Sequence, residues 1–386
     1  MKYNLKNLTR NELVDLLAGI GKEQYRADQI IRWLYLHRVT SLEEMSNLSR
    51  VCRRQLQQLV YLPALVCVAR EMAADGTEKF LYRLADGCCV ESVLIPDKNR
   101  LTLCVSTQVG CRQGCRFCVT GQQGFTRNLA TAEIVDQVVQ TQKYLDSQGK
   151  NIRNLVFMGM GEPLDNFAAV VKAVEIIQYN DGLQFSSRRI TLSTCGLVPE
   201  MAALGKQTEI CLAVSLNATM EAQRSELMPV NRRYPLAELL LACRHYPLKR
   251  RRRITFEYIL LHGFNDSRAD ARRLVRMLAP LKAKINLIPF NEHPLLSFKR
   301  PSETAIAVFR DILLASGLTV MVRKSKGADI QAACGQLRGR MEPERSRGGG
   351  DSTGCLQSWQ TGNQTKVGQE RDGSATVLPV RPKNFN

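Results

Sequence analysis

Cys111, Cys115 and Cys118 form a Cys-x3-Cys-x2-Cys triplet within the segment GCRQGCRFCVTGQQGF. Thiolates at this spacing in a glycine-rich loop suit an iron-sulfur cluster. They stop one short of the set that closes a structural zinc site or an electron-transfer centre. A cluster held by three cysteines leaves one iron open to another molecule. The competing readings are incidental cysteines or partial zinc binding.

The turn GMGEP, Gly159 to Pro163, is a second candidate. Its glycines let backbone approach a ligand closely, and Glu162 could accept from an ammonium group. An ordinary strand-to-helix turn accounts for it equally well. No Gly-Lys-Ser/Thr follows, so it is not a phosphate-cradling loop.

The remaining cysteines divide by setting. Cys104 precedes the triplet and Cys334 lies far along the chain in KGADIQAACGQL; taken alone, each reads as a small buried residue. Cys88 and Cys89 are adjacent in a strand pattern, point to opposite faces and cannot readily share a metal. Cys52, Cys67, Cys195, Cys211 and Cys243 read as packing residues, and Cys355 lies outside any motif. His37, His245, His262 and His293 are scattered and form no ligand pattern.

The elements that must position these residues follow from periodicity. Residues 1–60 carry helical apolar faces through Leu13, Leu16, Leu17, Ile30, Ile31, Leu34 and Leu56, and read as a small helical domain. Residues 61–97 change to alternating runs around Asp75-Gly76 and Asp86-Gly87, as in a hairpin or small sheet. From residue 98 to 337 strands and helices alternate, with strands expected at 101–105, 155–158, 190–193, 210–216, 254–260 and 285–288. A last strand is expected at 319–322, with helices at 132–145, N-capped by Thr131, and 302–315. Such βα units predict an α/β fold, an incomplete parallel barrel whose chemistry gathers at the C-terminal strand ends. The triplet, GMGEP, Ser193 to Gly196, Ser215 to Asn217 and Pro289 to Glu292 all fall there. Residues 338–386 are polar and glycine-rich and read as a disordered tail.

The chain has 386 residues and a formal net charge of +18, which favours a polyanionic partner, nucleic acid before anionic membrane. No apolar run is long enough to span a bilayer, and the N-terminus MKYNLKNLTRNE has no signal core, so a reducing cytoplasm is expected. The Lys249 to Arg253 run is either a solvated helix end or a phosphate contact beside the barrel mouth, and Arg26, Arg32, Arg50, Arg53 and Arg54 are similarly open.

The triplet CRQGCRFC, the GMGEP turn and the βα repeat resemble the radical S-adenosylmethionine (SAM) superfamily. The wider set CVSTQVGC, QQGFTRNL, VFMGMGEPLDN, RRITLSTCGLVP, AVSLNA, ELMPVNRRYPL and AACGQL, spanning roughly residues 5–337, is similar to the RlmN/Cfr adenine methyltransferases, QQGF leaning to the RlmN branch. The resemblance implies a partial (β/α)6 radical SAM barrel and one [4Fe-4S] cluster on Cys111, Cys115 and Cys118. It implies two SAM molecules per turnover, contacted by Gly161, Glu162, Ser193, Ser215, Leu216, Asn217 and Asn291.

It further implies that Cys334 is methylated by one SAM, and that a 5'-deoxyadenosyl radical from the second removes hydrogen from that methyl group. The methylene radical then adds to adenine C2. Glu91 corresponds to the family's proton acceptor, although its bland reading is a polar residue on a half-buried strand. Cys104 then resolves the protein-RNA bond by a transient disulfide with Cys334. The implied partners are 23S rRNA at the peptidyl-transferase centre, the tRNA adenine beside the anticodon, and a low-potential electron donor such as flavodoxin, met by a monomer. The N-terminal domain is expected to assist RNA binding. Cfr-type methylation at C8 is the nearest rival. A nonenzymatic RNA-binding protein with a redox-sensing cluster is the other, and it would not call for Cys104 and Cys334.

Overall fold

The computed structural model describes residues 2–333 and 335–337; Cys334 and the expected tail at 338–386 lie outside the described residues. At the N-terminus, β1 (Tyr3–Asn4) precedes α1 (Arg10–Ala18), α2 (Tyr25–Tyr35) and α3 (Arg50–Leu59), and β2 (Val60–Tyr61) returns to pair in parallel with β1. Thr9 and Glu12 close a capping box on α1: the Thr9 amide donates to Glu12 Oε2 at 2.8 Å and the Glu12 amide to Thr9 Oγ1 at 3.3 Å. Leu13, Leu17, Ile30, Ile31, Leu34 and Leu56 bury their side chains between these helices.

A buried ion pair docks this module. Lys6 Nζ lies 2.5 Å from Asp136 Oδ1, whose other oxygen accepts the Leu65 amide at 2.6 Å. A charge so buried is tolerable only when paired and hydrogen-bonded, which fixes the seat of the module. Among its arginines, Arg32 pairs with Asp181 at 2.7 Å and Arg53 donates to the Glu43 carbonyl. The side chains of Arg50 and Arg54 are exposed with no partner among the described residues.

One ten-stranded sheet organises the rest, in the order β14-β13-β12-β11-β10-β9-β6-β5-β4-β3. The strands β3 (Val66–Met72), β4 (Glu78–Arg83) and β5 (Cys89–Asp97) are antiparallel to one another, and β5 is antiparallel to β6 (Arg100–Cys104). From β6 onward all neighbours are parallel: β9 (Ile152–Phe157), β10 (Ile190–Thr194), β11 (Cys211–Ser215), β12 (Ile254–Leu260), β13 (Ala283–Pro289) and β14 (Thr319–Val322). The expected small sheet before residue 97 is thus continuous with the barrel. No pairing among the described residues joins β14 to β3, so the barrel is open, a partial α/β barrel.

Helices α5 (Thr131–Asp146), α6 (Phe167–Gln178), α7 (Val198–Gln207), α8 (Glu221–Leu227), α9 (Leu236–His245), α10 (Arg268–Leu278) and α11 (Glu303–Ala315) intervene between strands. The N-cap of α5 is Ala130, not Thr131, because Glu133 reaches back to the Ala130 amide at 2.8 Å while Thr131 Oγ1 donates to the Ala169 carbonyl at 3.2 Å. Three hydrogen bonds set the sheet face that α5 covers: Tyr82 Oη with Thr141 Oγ1 at 2.8 Å, Ser92 Oγ to Gln137 Oε1 at 2.8 Å, and Tyr144 Oη to Glu78 Oε2 at 2.9 Å. By strand alternation Lys79, Leu81, Glu91 and Val93 present the opposite face, the barrel interior.

Candidate active site

The strand β7 (Gln108–Gly110) and its antiparallel partner β8 (Phe125–Asn128) form a small ribbon that grips the cysteine loop from both sides. Sequence reading missed this ribbon because its strands are too short for periodicity to register. The Cys111 amide donates to the Gly124 carbonyl at 2.7 Å, the Cys118 amide to the Cys115 carbonyl at 3.1 Å, and α4 (Val119–Gln122) follows directly. Arg112 closes one flank, with Nε 2.8 Å from Asp165 and its guanidinium 3.9 Å over the Phe125 ring; Arg116 pairs with Glu226 at 2.5 Å on the other.

The three thiols are partly buried side chains that feel one another electrostatically. Burial raises all three, Cys111 to about 12, so as free thiols they are protonated and a bound cation must displace their protons. Among the described residues no three potential ligands converge on a single ion. A four-iron cluster has no need of such convergence, since each thiolate binds a separate iron, and the loop's donor set fits it.

Beside the loop, GMGEP turns against the end of β6. A Cβ at Gly159 would lie 2.7 Å from Ser106 Oγ, and one at Gly161, whose φ is +97°, would lie 2.5 Å from Gln108 Cβ. Only glycine fits either position. Gln108 Oε1 accepts the Glu162 amide at 2.9 Å, and Gln108 Nε2 donates to Asn128 Oδ1 and Asp165 Oδ2 at 2.8 and 3.0 Å. Glu162 is buried, and burial pushes its carboxyl above the usual range. Its oxygens accept the Leu164 amide at 3.1 Å and the Cys195 amide at 2.8 Å, leaving further lone pairs for a ligand.

The other strand ends converge here. Ser193 and Ser215 are half-buried on β10 and β11, in adjacent parallel strands, and Leu216 and Asn217 follow, fully buried. Asn217 is committed to the scaffold: its Oδ1 accepts the Ile259 amide at 2.9 Å and its Nδ2 meets Met228 Sδ at 3.4 Å. Asn291 lies beyond β13 and accepts from Ser325 Oγ. Cys195 is buried as expected of a packing residue, but it packs against Glu162 at the site. Cys67 is exposed rather than packed, its thiol 3.4 Å from the Ala69 carbonyl.

Two further residues escaped sequence reading. Arg224 on α8 is fully buried with no carboxylate bound to it among the described residues: Nη2 donates to the Cys195 and Ser215 carbonyls at 2.7 and 3.1 Å, Nε to the Leu216 carbonyl at 3.1 Å, and Nη1 to Asn231 Oδ1 at 2.8 Å. Glu257 on β12 is paired in register with Ser215 and accepts Asn286 Nδ2 at 2.9 Å. Burial lowers the Arg224 pKa and raises that of Glu257. The only signal for either was a charge where the pattern called for an apolar residue.

Cys104 ends β6, buried, in register with Val93 of β5; Glu91 lies on the same β5 face, also buried, with Lys79 Nζ 3.9 Å from its Oε1. Cys334 itself lies outside the described residues, but its neighbours are anchored. The Gly335 carbonyl accepts the Val119 amide at 2.8 Å, Thr120 Oγ1 donates to Leu337 at 2.6 Å, and Gln336 Nε2 donates to Glu292 at 3.1 Å. The segment therefore docks on the helix that follows Cys118. The Lys249 to Arg253 run, by contrast, immediately precedes β12 and so lies at the N-terminal strand end, away from the mouth. There Lys249 pairs with Glu209 at 2.6 Å and Arg252 donates to Ser187 Oγ at 2.8 Å.

Residues 3–62 match the model of the ribosomal RNA large subunit methyltransferase N-terminal domain, and residues 105–275 match that of the radical SAM superfamily. The chain is 53% identical over 347 residues to the dual-specificity RNA methyltransferase RlmN of Geobacter sulfurreducens, covering 90% of this chain and 95% of that one. Identity to the protein of the same name from Geotalea uraniireducens is 52% over 341 residues, covering 88% and 98%. A crystal structure of a radical SAM methyltransferase from Sphaerobacter thermophilus superposes with a TM-score of 0.83 at 45% identity, covering 87% of this chain and 99% of that one.

Proposed function

The chain belongs to the RlmN family of radical SAM RNA methyltransferases, and from that premise we propose how its own residues methylate adenine C2 in 23S rRNA and tRNA. The cofactors are a [4Fe-4S] cluster and SAM. Cys111, Cys115 and Cys118 would hold the cluster, and the strand ends at Gly161 and Glu162, Ser193, Ser215 to Asn217 and Asn291 would hold SAM beside it. When bound, the cluster and SAM would supply a methyl group and, in a second use, the electron and adenosyl fragment that abstract hydrogen, and the cluster would take back the one electron released after the methylene adds.

Every other step belongs to side chains. The Cys334 sulfur accepts the methyl group by displacement and presents it to the adenine. Its methylene adds to C2, and Glu91 takes the proton that C2 releases. The Cys104 thiolate attacks the Cys334 sulfur; a disulfide forms, the carbon-sulfur bond breaks, and its electron pair stays with the product carbon, which gains a proton to become methyl. Such a disulfide is transient in a reducing compartment, and we take the enzyme to be cytoplasmic, a monomer served by a low-potential donor such as flavodoxin. No helix among the described residues is long and apolar enough to cross a membrane.

The observation that carries this reading is the joint anchoring of the Cys334 segment, to Val119 beside the last cluster cysteine and to the strand bearing Glu91 through Lys79. Both ends of the chemistry are served by one stretch of chain. The test is anaerobic reconstitution, then incubation with SAM, reductant and either an rRNA fragment or a tRNA, followed by mass spectrometry of the nucleosides. We expect 2-methyladenosine from both RNAs. 8-Methyladenosine, or no methyladenosine, would overturn the reading.

A further inference from the structure

Lys79 is the second residue of β4, with its side chain almost wholly buried between two carboxylates and a main-chain carbonyl. Its Nζ is 3.3 Å from Glu71 Oε2 on β3, 3.9 Å from Glu91 Oε1 on β5, and donates to the Ile330 carbonyl at 2.7 Å. The sheet register explains the arrangement. Glu71 pairs with Lys79, Lys79 with Val93, and Val93 with Cys104, so the four form one row across four strands on the inward face. Glu91 stands two residues from Val93 on that face, diagonal to both Lys79 and Cys104.

An ammonium in a strand interior is poorly placed for stability alone. It loses its hydration, and an apolar residue of similar size would pack there without that cost. A cation at this position does two things that such a residue cannot. It favours the ionised form of the buried carboxylate beside it, and it donates to the chain that leads to Cys334.

The second role is reinforced by the turn between β3 and β4. The Ala74 amide donates to Asp329 Oδ2 at 3.0 Å, the Gly327 amide to Asp75 Oδ2 at 3.2 Å, and Lys326 Nζ lies 3.7 Å from the same Asp75 oxygen. The 326–330 segment is therefore fastened to this hairpin at three successive points, with Lys79 the innermost.

We propose that Lys79 is a positioning residue for the methyl transfer: it keeps Glu91 ionised and aimed, and registers the Cys334 segment against it. The inference rests on the reading of Glu91 as proton acceptor. The step served is a proton transfer that follows loss of the adduct's unpaired electron to the cluster: the C2–H bond breaks, its electron pair returns to the ring and the proton moves to a Glu91 oxygen. The titratable and charged groups nearest Glu91 on this face are Lys79 and Arg83 from β4, Cys89 from β5 itself, Cys104 from β6 and, at the row's outer end, Glu71 from β3. Arg83 is exposed and paired in register with Cys89, so Lys79 is the buried cation of the two.

The pH dependence of turnover tests this with the full-length, cluster-loaded protein, an rRNA fragment, SAM and reductant. For K79M we expect at least a tenfold loss of turnover at neutral pH, normal methylation of Cys334 by mass spectrometry, and an acid limb of the rate profile moved up by about one pH unit. K79R, which keeps the charge, should return the limb to its original position. E71Q frees Lys79 from its competing carboxylate and should move the limb the opposite way, to lower pH. Because Glu71 is at the rim, this variant keeps the test alive should K79M fail to fold. A limb unmoved in E71Q, or in a K79M that folds, overturns the inference, as does a K79R that behaves like K79M. E91Q separates the premise from the inference: wild-type turnover in E91Q sinks the role of Glu91 itself, whereas an impaired E91Q beside an unshifted K79M sinks only that of Lys79.

Discussion

Arg224 Nη2 donates to the Cys195 carbonyl at 2.7 Å, and the amide of that same cysteine donates to Glu162 Oε2 at 2.8 Å. A buried guanidinium and a buried carboxylate are thereby joined through the backbone of one residue at the end of β10. With its bonds to Ser215 and Leu216, Arg224 also fixes the end of β11. Lysine cannot span these acceptors, because only the planar fork of arginine points donors in several directions at once. Arg224→Lys should lower stability by about 3 kcal/mol in a denaturant titration and weaken SAM binding by at least tenfold, since three buried carbonyls lose their donors. Unchanged SAM affinity would show that the strand ends are set by packing instead.

Cys104 shares a face with Glu91 and is the residue read as breaking the protein-RNA bond. Cys104→Ala should therefore complete the addition and stall, leaving RNA covalently attached to the chain. A denaturing gel with labelled RNA, run before and after nuclease treatment, detects the species. Normal multiple turnover by this variant would remove Cys104 from the mechanism.

Glu257 supplies a prediction about pH and stability. Burial raises its carboxyl in the folded state above the ordinary value near 4.5, even though Asn286 partly offsets the rise. Folding therefore favours the protonated form. The stabilisation is complete below the unfolded value and is lost as pH rises through the raised folded value. Glu257→Gln keeps the acceptor for Asn286 without the charge. At neutral pH its melting temperature should exceed that of the wild type by about 3 °C, a difference of roughly 1 kcal/mol, shrinking to nothing below pH 4. Melts across that range decide it; a gain independent of pH would mean that ionisation is not the cause.

The exposed arginines Arg50 and Arg54 on α3 bear on the RNA. If the N-terminal module contacts phosphates, replacing both with glutamine should weaken RNA binding uniformly across sequences and reduce the dependence of log affinity on log salt by about one to two units. Fluorescence anisotropy over a salt series measures both. An unchanged slope would assign these side chains to solvent.

Much of this architecture is legible in the amino-acid sequence. The parallel strands announced themselves as short apolar runs at βα spacing, and the chemically unusual residues sat at their C-terminal ends. What stayed hidden depends on which residues become neighbours. Lys79 reads as one charge in EKFLYR until Glu71 and Glu91 are found on the strands to either side. Cys195 was grouped with packing cysteines because nothing local reveals Glu162 beneath it. The antiparallel extension looked like a separate small sheet because its turns are visible in the sequence, whereas its edge pairing with β6 is not. The Thr131 cap was misplaced by one residue because a reciprocal Glu133 bond to a backbone amide defines the helix start without any capping side chain.

The parallel pairing of β1 with β2 sets residues 3 and 4 beside residues 60 and 61. The N-terminal module thus closes on itself, its first strand held against the strand that leads into the rest of the chain. Because Lys6, two residues beyond β1, is tied to Asp136 of α5, the closed end of the module is also the end coupled to the barrel. A relative's module grafted at these strands would seat on the barrel only if it brought a cation to the place of Lys6, since Asp136 would otherwise be left buried and unpaired.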